Sequence, residues 1–563
     1  MKKNNLTIII LSIIWLILFS CEKSIEIDDP DENETESSEE AEDYTWDSSD
    51  TITIFFNSNS ITADSDSVSI DGSTVTITKA GNYIISGTLS NGQIIVNSDD
   101  EEVVRLILSG VDMTCSSSAP IYVKDAYKTI IVLDDGTENY ITDSNSYVFD
   151  DSEDDEPNAA IFSKDYLAIY GNGYLTVNGN YNDGIASKDG LVIKSGNITV
   201  NSVDDGIRGK DYLIIRDGNI TLNVEGDGLK SDNDEDESLG YILIETGNID
   251  IISGGDAIQA ETDINITTGE FDITAGGGSN YSVSYDGSAK GLKADVSLSV
   301  DGGNYTINSA DDAVHSNGSI IFNGGTFNIS SNDDGIHADE SVEINNSNVS
   351  ISKSYEGIES ANITVNESNV RIIASDDGFN ATEGMAVESN DGSCLTINSG
   401  YVYINTSSGD ALDSNGNIVI AGGTVIAHGP SSDPEVGMDY NGTCKVSGGT
   451  LVISGPDSRM TQAPSSSSTQ YSVLVKFNTR QSANSIVHIE DSNGNDILTF
   501  APVRTYQSII FSSTELTKGS TYTIYTGGSY TSTSEDGLYT NGTYEPGVEY
   551  RNFTISQIVT NLN

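Results

Sequence analysis

Asp204-Asp205-Gly206-Ile207-Arg208-Gly209-Lys210 opens a 22-residue unit that runs through Asp211-Tyr212-Leu213-Ile214-Ile215-Arg216-Asp217-Gly218 and closes with Asn219-Ile220-Thr221-Leu222-Asn223-Val224-Glu225. Inside it three short strands are expected, Gly206 to Gly209, Leu213 to Ile215 and Asn219 to Asn223, separated by turn residues such as Asp217-Gly218. Side chains in a strand alternate between faces, so Leu213, Ile215, Ile220 and Leu222 share one apolar face. Leu191, Ile193, Ile198 and Val200 hold the same places one unit earlier, and Val342, Ile344, Val349 and Ile351 hold them later.

The opening phrase recurs as Asn182-Asp183-Gly184-Ile185, Gly226-Asp227-Gly228-Leu229, Gly255-Asp256-Ala257-Ile258, Asp311-Asp312-Ala313-Val314, Asp333-Asp334-Gly335-Ile336, Tyr355-Glu356-Gly357-Ile358, Asp376-Asp377-Gly378-Phe379 and Gly409-Asp410-Ala411-Leu412. The acidic residues are 22 apart from Asp183 to Asp205 to Asp227 and from Asp312 to Asp334 to Glu356, and longer steps carry polar insertions such as Asn233 to Leu239. One such unit cannot bury its apolar face alone, so successive units must stack at about 4.8 Å and share a core. The fold class is therefore all-β, a parallel β-helix with three strands and about 22 residues per coil, over residues 49–465. After Ser465 to Ser468 the phrase disappears, and residues 466–563 are expected to form a C-terminal β-rich cap or small sandwich over the open strand edge.

At the other end, Lys2 and Lys3 precede an apolar run from Leu6 to Phe19 and then Leu18-Phe19-Ser20-Cys21, the pattern of a signal peptide over residues 1–20. Its last four residues look like a bacterial lipobox, which implies a lipidated Cys21; an ordinary secretory signal with an incidental cysteine is the alternative. Residues 21–48 are acidic and poor in apolar side chains, so they read as a disordered tether to an outer-membrane or cell-surface location. Cys115, Cys394 and Cys444 remain, an odd number, with a Cys394 to Cys444 pair and buried thiols both open. A formal charge of −61, from 86 acidic and 25 basic residues, excludes nucleic acid as a partner and limits membrane contact to the lipid. It calls for bound cations, of which calcium is the usual extracellular choice. A monomer is expected.

Stacking turns the recurring acid into a column: Asp183, Asp205, Asp227, Asp256, Asp312, Asp334, Glu356 and Asp377. Each Asp can simply shape its corner, or part of the column can hold metal, because stacked carboxylates raise one another's pKa unless neutralised. One residue past each core aliphatic lies a second, outward column: Arg208, Lys230, Gln259, Lys293, His315, His337, Glu359 and Asn380. Five of its first six places are basic or imidazole in a chain with four histidines, and Lys290 stands where neighbouring units have Asp. This column reads either as a solvated face or as a ligand-binding groove for an acidic polysaccharide laid along the axis.

The phrases beginning at Gly226, Gly255, Asp333 and Ser354, the last reading Ser354-Tyr355-Glu356-Gly357-Ile358-Glu359, resemble a carbohydrate-binding β-helix family first described from a cellulolytic clostridium. The resemblance covers the chain from about residue 50 onward. It implies a right-handed β-helix similar in fold to pectate lyases, with bound calcium, that binds cellulose and acidic, pectin-like polysaccharide with little or no cleavage. It also implies calcium ligands drawn from Asp205, Asp227, Asp256, Asp312, Asp334 and Asp377. A lyase is the second reading, with Lys230, Lys293 or Lys290 as its base, and a structural surface protein or adhesin the third. Only Trp15 and Trp46 are tryptophans, so a cellulose platform would rely on tyrosines such as Tyr281, Tyr285 and Tyr355, which favours a soluble acidic glycan.

Overall fold

A computed structural model describes residues 38–149, 155–284, 287–384 and 389–563. The expected signal peptide, Cys21 and Tyr285 lie outside the described residues. The chain is all-β, with no α-helix among the described residues, and one hydrogen-bonded network joins 46 strands, most of them parallel. Its rule is visible in the quoted unit. Strand Ile207–Gly209 pairs with Leu229–Ser231, strand Tyr212–Ile215 with Tyr241–Ile244, and strand Asn219–Val224 with Asn248–Ser253, all in parallel register. Each of these strands thus finds its partner three strands on, in the next unit.

Leu213, Ile215, Ile220 and Leu222 are buried, as are their counterparts in the units at 191–200 and 342–351. They belong to one continuous apolar cluster running from Ile54 to Ile510. Within it Phe271, Tyr305 and Phe327 stack ring on ring at 4.6 and 4.5 Å, because equivalent positions repeat at the strand spacing. At the turns, Asn219 Nδ2 donates to Asn197 Oδ1 (2.9 Å) and Asn248 Nδ2 to Asn219 Oδ1 (2.7 Å), satisfying amides that no strand reaches. Gly218 precedes that turn at φ +146°, where a Cβ would sit 3.2 Å from the Gly196 carbonyl oxygen.

Both ends of the network are covered. Ile52–Ser58 folds back antiparallel on Ser60–Ala63, and at the far end Tyr506–Ser512 pairs antiparallel with the last unit's Thr450–Gly455. Ser472–Gln481 adds beside it, and a separate six-strand sheet that includes Val487–Asp491 and Thr521–Thr526 completes the C-terminal region. Covered edges do not template association with another chain.

One open alternative is decided and one expectation is corrected. Cys115 and Cys444 are free buried thiols, so Cys444 makes no bridge to Cys394; burial pushes the Cys444 thiol up to about 12. Residues 38–46, part of the segment expected to be disordered, instead lie against the units near residues 105–245. A 3₁₀ turn at Ala41–Tyr44 buries Asp43 beside Lys128 Nζ (3.1 Å), Glu39 pairs with Arg216 (2.7 Å), and the Ser38 amide donates to the Tyr212 hydroxyl. Tyr44 packs edge-on against Tyr170, and Trp46 joins the same apolar cluster. Composition alone counts what a segment can bury by itself; here the receiving surface supplies the cations and rings. Replacing Lys128 with Ala is expected to leave Asp43 without its buried partner and to release this segment. Limited proteolysis would then cut within residues 38–46 far faster than in the parent, with the repeat region intact.

Candidate functional site

At most of the recurring acidic corners the backbone leaves one strand before entering the next, and the N–H there has no ladder partner. The acid of the preceding unit supplies one. The amides of Asp227, Asp256, Lys290, Asp334, Glu356 and Asp410 donate to Oδ1 of Asp205 (2.9 Å), Asp227 (2.8 Å), Asp256 (2.7 Å), Asp312 (3.0 Å), Asp334 (3.1 Å) and Asp377 (2.6 Å). The Val436 amide does the same to Asp410. At Gly357 close approach requires the glycine that follows, since a Cβ there would lie 2.2 Å from the Gly378 carbonyl oxygen, whereas Ala257, Ala313 and Ala411 stand at the equivalent place in other units. One oxygen of each of these seven acids is therefore turn chemistry, and only the other is free to do more.

That second oxygen faces the outward column, which the register aligns place for place from Arg208 through Lys230, Gln259, Lys293, His315, His337, Glu359 and Asn380 to Asp413. In the first half the protein neutralises itself. Arg208 donates from Nε (3.0 Å) and Nη2 (2.7 Å) to Asp183 Oδ2, and Lys230 Nζ lies 2.7 Å from Asp227 and 3.1 Å from Asp205. Lys293 reaches Asp256 at 3.4 Å, and Lys290 sits 2.6 Å from Asp312 and 3.1 Å from Asp311. These cations are mostly covered yet each keeps a solvent-facing side. Although burial opposes it, the His315 hydrogen bond and the Lys290 charge hold the Asp312 carboxyl below its ordinary range. Burial still lifts Asp183, to about 7, and raises Asp205, even with Arg208 and Lys230 beside them.

Beyond His337 the cations stop. Glu359, Asn380 and Asp413 take the outward places, while Asp334, Glu356, Asp377 and Asp410 remain largely buried. Among the described residues no lysine or arginine comes within ion-pair distance of these four acids; Asp334 has only His337, at 3.5 Å. Burial, with the neighbouring carboxylates adding to it, pushes Asp377 up to about 8, and burial pushes Asp410 up to about 9. Asp334, Glu356 and Glu359 are raised for the same reason.

Of the seven acids expected to bind metal, Asp183, Asp205, Asp227, Asp256 and Asp312 are thus already held by arginine or lysine. Asp334 and Asp377 are not. Three carboxylates converge further along: ligand oxygens of Asp410, Asp413 and Asp439 lie within 4.8 Å of one another, an all-oxygen set with the reach a hard cation needs. Extending the outward column one place past Asn380 would have found Asp413. Asp439 carries no Asp-Gly signal, since it follows the single bridge between Met438 and Leu412. Two of the tyrosines considered as platforms are well exposed, Tyr281 at 64% and Tyr355 at 48%, and Tyr355 directly precedes Glu356 on the column. Trp46 is packed away.

A family model described as carbohydrate-binding domain-containing protein matches residues 71–335. A curated relative of that description from Acetivibrio thermocellus is 47% identical over 138 residues, which is 24% of this chain and 48% of the relative, so the match spans about half of the relative's length. Among solved structures, a gadolinium derivative of a polysaccharide lyase-like protein from C. thermocellum is 37% identical, covering 44% of this chain and 96% of that one, with a TM-score of 0.41.

Proposed function

We propose that this chain, similar over residues 71–335 to the carbohydrate-binding domain-containing family, is a calcium-containing, envelope-anchored binder of acidic, pectin-like polysaccharide, built as a right-handed parallel β-helix. The observation that carries this reading is the change along one face from acids paired with fixed cations to buried acids with none. Buried carboxylates are costly unless neutralised. Calcium on Asp410, Asp413 and Asp439 would neutralise them and retain coordination positions for an outside carboxylate. Units stacked at about 4.8 Å repeat at close to the length of one sugar residue. A uronate chain along the axis could therefore meet calcium at one end and the solvent-facing sides of Lys293, Lys230 and Arg208 toward the other, with Tyr355 offering a ring face between. Cellulose fits less well, because stacking surfaces on this face are few. Cys21 would anchor the assembly through lipid, with the packed segment at 38–46 holding the β-helix near its tether.

Cleavage is not favoured. A lyase base must be able to give up its proton near neutrality, whereas Lys230 and Lys290 are both raised: burial opposes this, but Asp205 and Asp227 outweigh it at Lys230 and Asp312 at Lys290. The test is a binding titration with polygalacturonate and with its methyl ester, alongside the absorbance of unsaturated products. Binding of the acid form at least tenfold tighter than of the ester, with no absorbance rise, is expected; equal binding of both would remove the acidic-glycan reading, and a rise that Lys230→Ala abolishes would install the lyase.

A further inference from the structure

We propose that the middle of the column, at Asp312, His315 and His337, is a site for a borderline transition-metal dication such as zinc, distinct in chemistry from a calcium site. Two of the chain's four histidines fall on adjacent units of the same outward column, with rings 5.0 Å apart. Their Nδ1 atoms turn toward one point. His315 Nδ1 lies 2.8 Å from Asp312 Oδ2, and His337 Nδ1 lies 3.9 Å from that oxygen and 3.5 Å from Asp334 Oδ2. Ligand atoms of Asp312, His315 and His337 all lie within 4.8 Å of one another, and a second set, Asp334, His337 and Glu359, adjoins it through the shared imidazole.

These separations match a small tetrahedral ion. With metal–ligand distances of about 2.0–2.1 Å, the edges of a tetrahedron are about 3.3 Å, in the middle of the observed 2.8 to 3.9 Å. The outer contact on His315 fits as well. Its Nε2 lies 3.0 Å from Asn317 Oδ1, an acceptor that can hold the Nε2 proton and so free Nδ1 for a metal, while without metal Nδ1 hydrogen-bonds Asp312 Oδ2 at 2.8 Å. A metal ion would take the place of the proton shared between Nδ1 and that oxygen. A mixed imidazole and carboxylate set suits zinc better than calcium, which takes oxygen ligands. Lys290, now 2.6 Å from Asp312 Oδ2, would yield that oxygen and keep its contact with Asp311 at 3.1 Å.

Cobalt(II) is the probe, titrated into the chelator-stripped full chain while visible d–d absorption is recorded. One equivalent is expected to give an intense four-coordinate band that zinc bleaches and a hundredfold excess of calcium does not. His337→Ala and His337→Gln, each checked for an unchanged thermal transition, are expected to bind cobalt at least tenfold more weakly. No band in the parent chain, a band that survives unchanged in both folded variants, or bleaching by calcium as readily as by zinc would overturn the site. The first of these would leave an imidazolium–carboxylate ion pair in its place. Because the readout is cobalt absorption, failure here leaves the calcium and glycan reading to stand or fall on its own.

Discussion

In the presence of a chelator, the melting temperature of this protein is expected to fall steadily as the pH is raised from about 5 to about 9, and saturating calcium is expected to abolish most of that fall. Burial holds the carboxyls of Asp377 and Asp410 at about 8 and about 9 in the folded chain, and it raises Asp334 and Glu356 as well. In the unfolded chain an aspartate titrates near 3.9. Between those values the folded state keeps protons that the unfolded state has given up, so each group's contribution is complete below about pH 4 and is lost as the pH rises through the folded value. The slope is about 1.4 kcal/mol per pH unit for each such group, so even one of them should shift stability by several kcal/mol across this range, a large share of a typical domain's total. Calcium stabilises the ionised form and therefore opposes the loss where it matters most, above pH 7. Calorimetric scans across the pH range, with and without calcium, check this; a profile that is flat in chelator would mean that these carboxylates are neutralised from within.

Asp410→Asn is expected to act in opposite directions in the two states. Asparagine keeps the Oδ1 acceptor that the Val436 amide uses, so the corner survives. It removes a carboxyl that must take up a proton on folding at this pH, so the metal-free variant should be more stable than the parent at pH 7.5, by an amount on the order of a few kcal/mol. It also removes one of the three converging carboxylates proposed to hold calcium, so the stabilisation gained on adding calcium should shrink by most of its value. A turn-only role for Asp410 would give neither effect, since the amide bond is retained. The two melting temperatures of each protein, with chelator and with calcium, decide the matter.

The core was legible because its signal is local and repeated. Leu213, Ile215, Ile220 and Leu222 alternate within their own strands, and the 22-residue period aligns them with their neighbours without knowledge of any distance. The outward column from Arg208 to Asn380 was legible for the same reason, and the pairing register reproduces it place for place. What the period cannot reveal is how each acid is neutralised. Asp205 and Asp377 occupy equivalent places, yet Lys230 closes on the first and among the described residues no lysine or arginine reaches the second. That difference lies in the outward residue of the following unit, a contact between units rather than within one. Asp439 was hidden for a related reason, since it enters beside Leu412 through a single bridge rather than a repeat strand. The packing of residues 38–46 depends on Lys128, Arg216 and Tyr212, which are far away in sequence.

The central claim is that bound calcium and an acidic glycan share this face, and binding that is shared must be reciprocal. The most direct measurement is a calorimetric titration of calcium into the chelator-stripped full chain, alone and with saturating polygalacturonate, corrected for calcium taken up by the glycan itself. Calcium binding at least tenfold tighter in the presence of the glycan, with the gain lost in Asp410→Asn, is the expected result. Superimposable isotherms with and without polygalacturonate would contradict the account and return the acid column to turn chemistry.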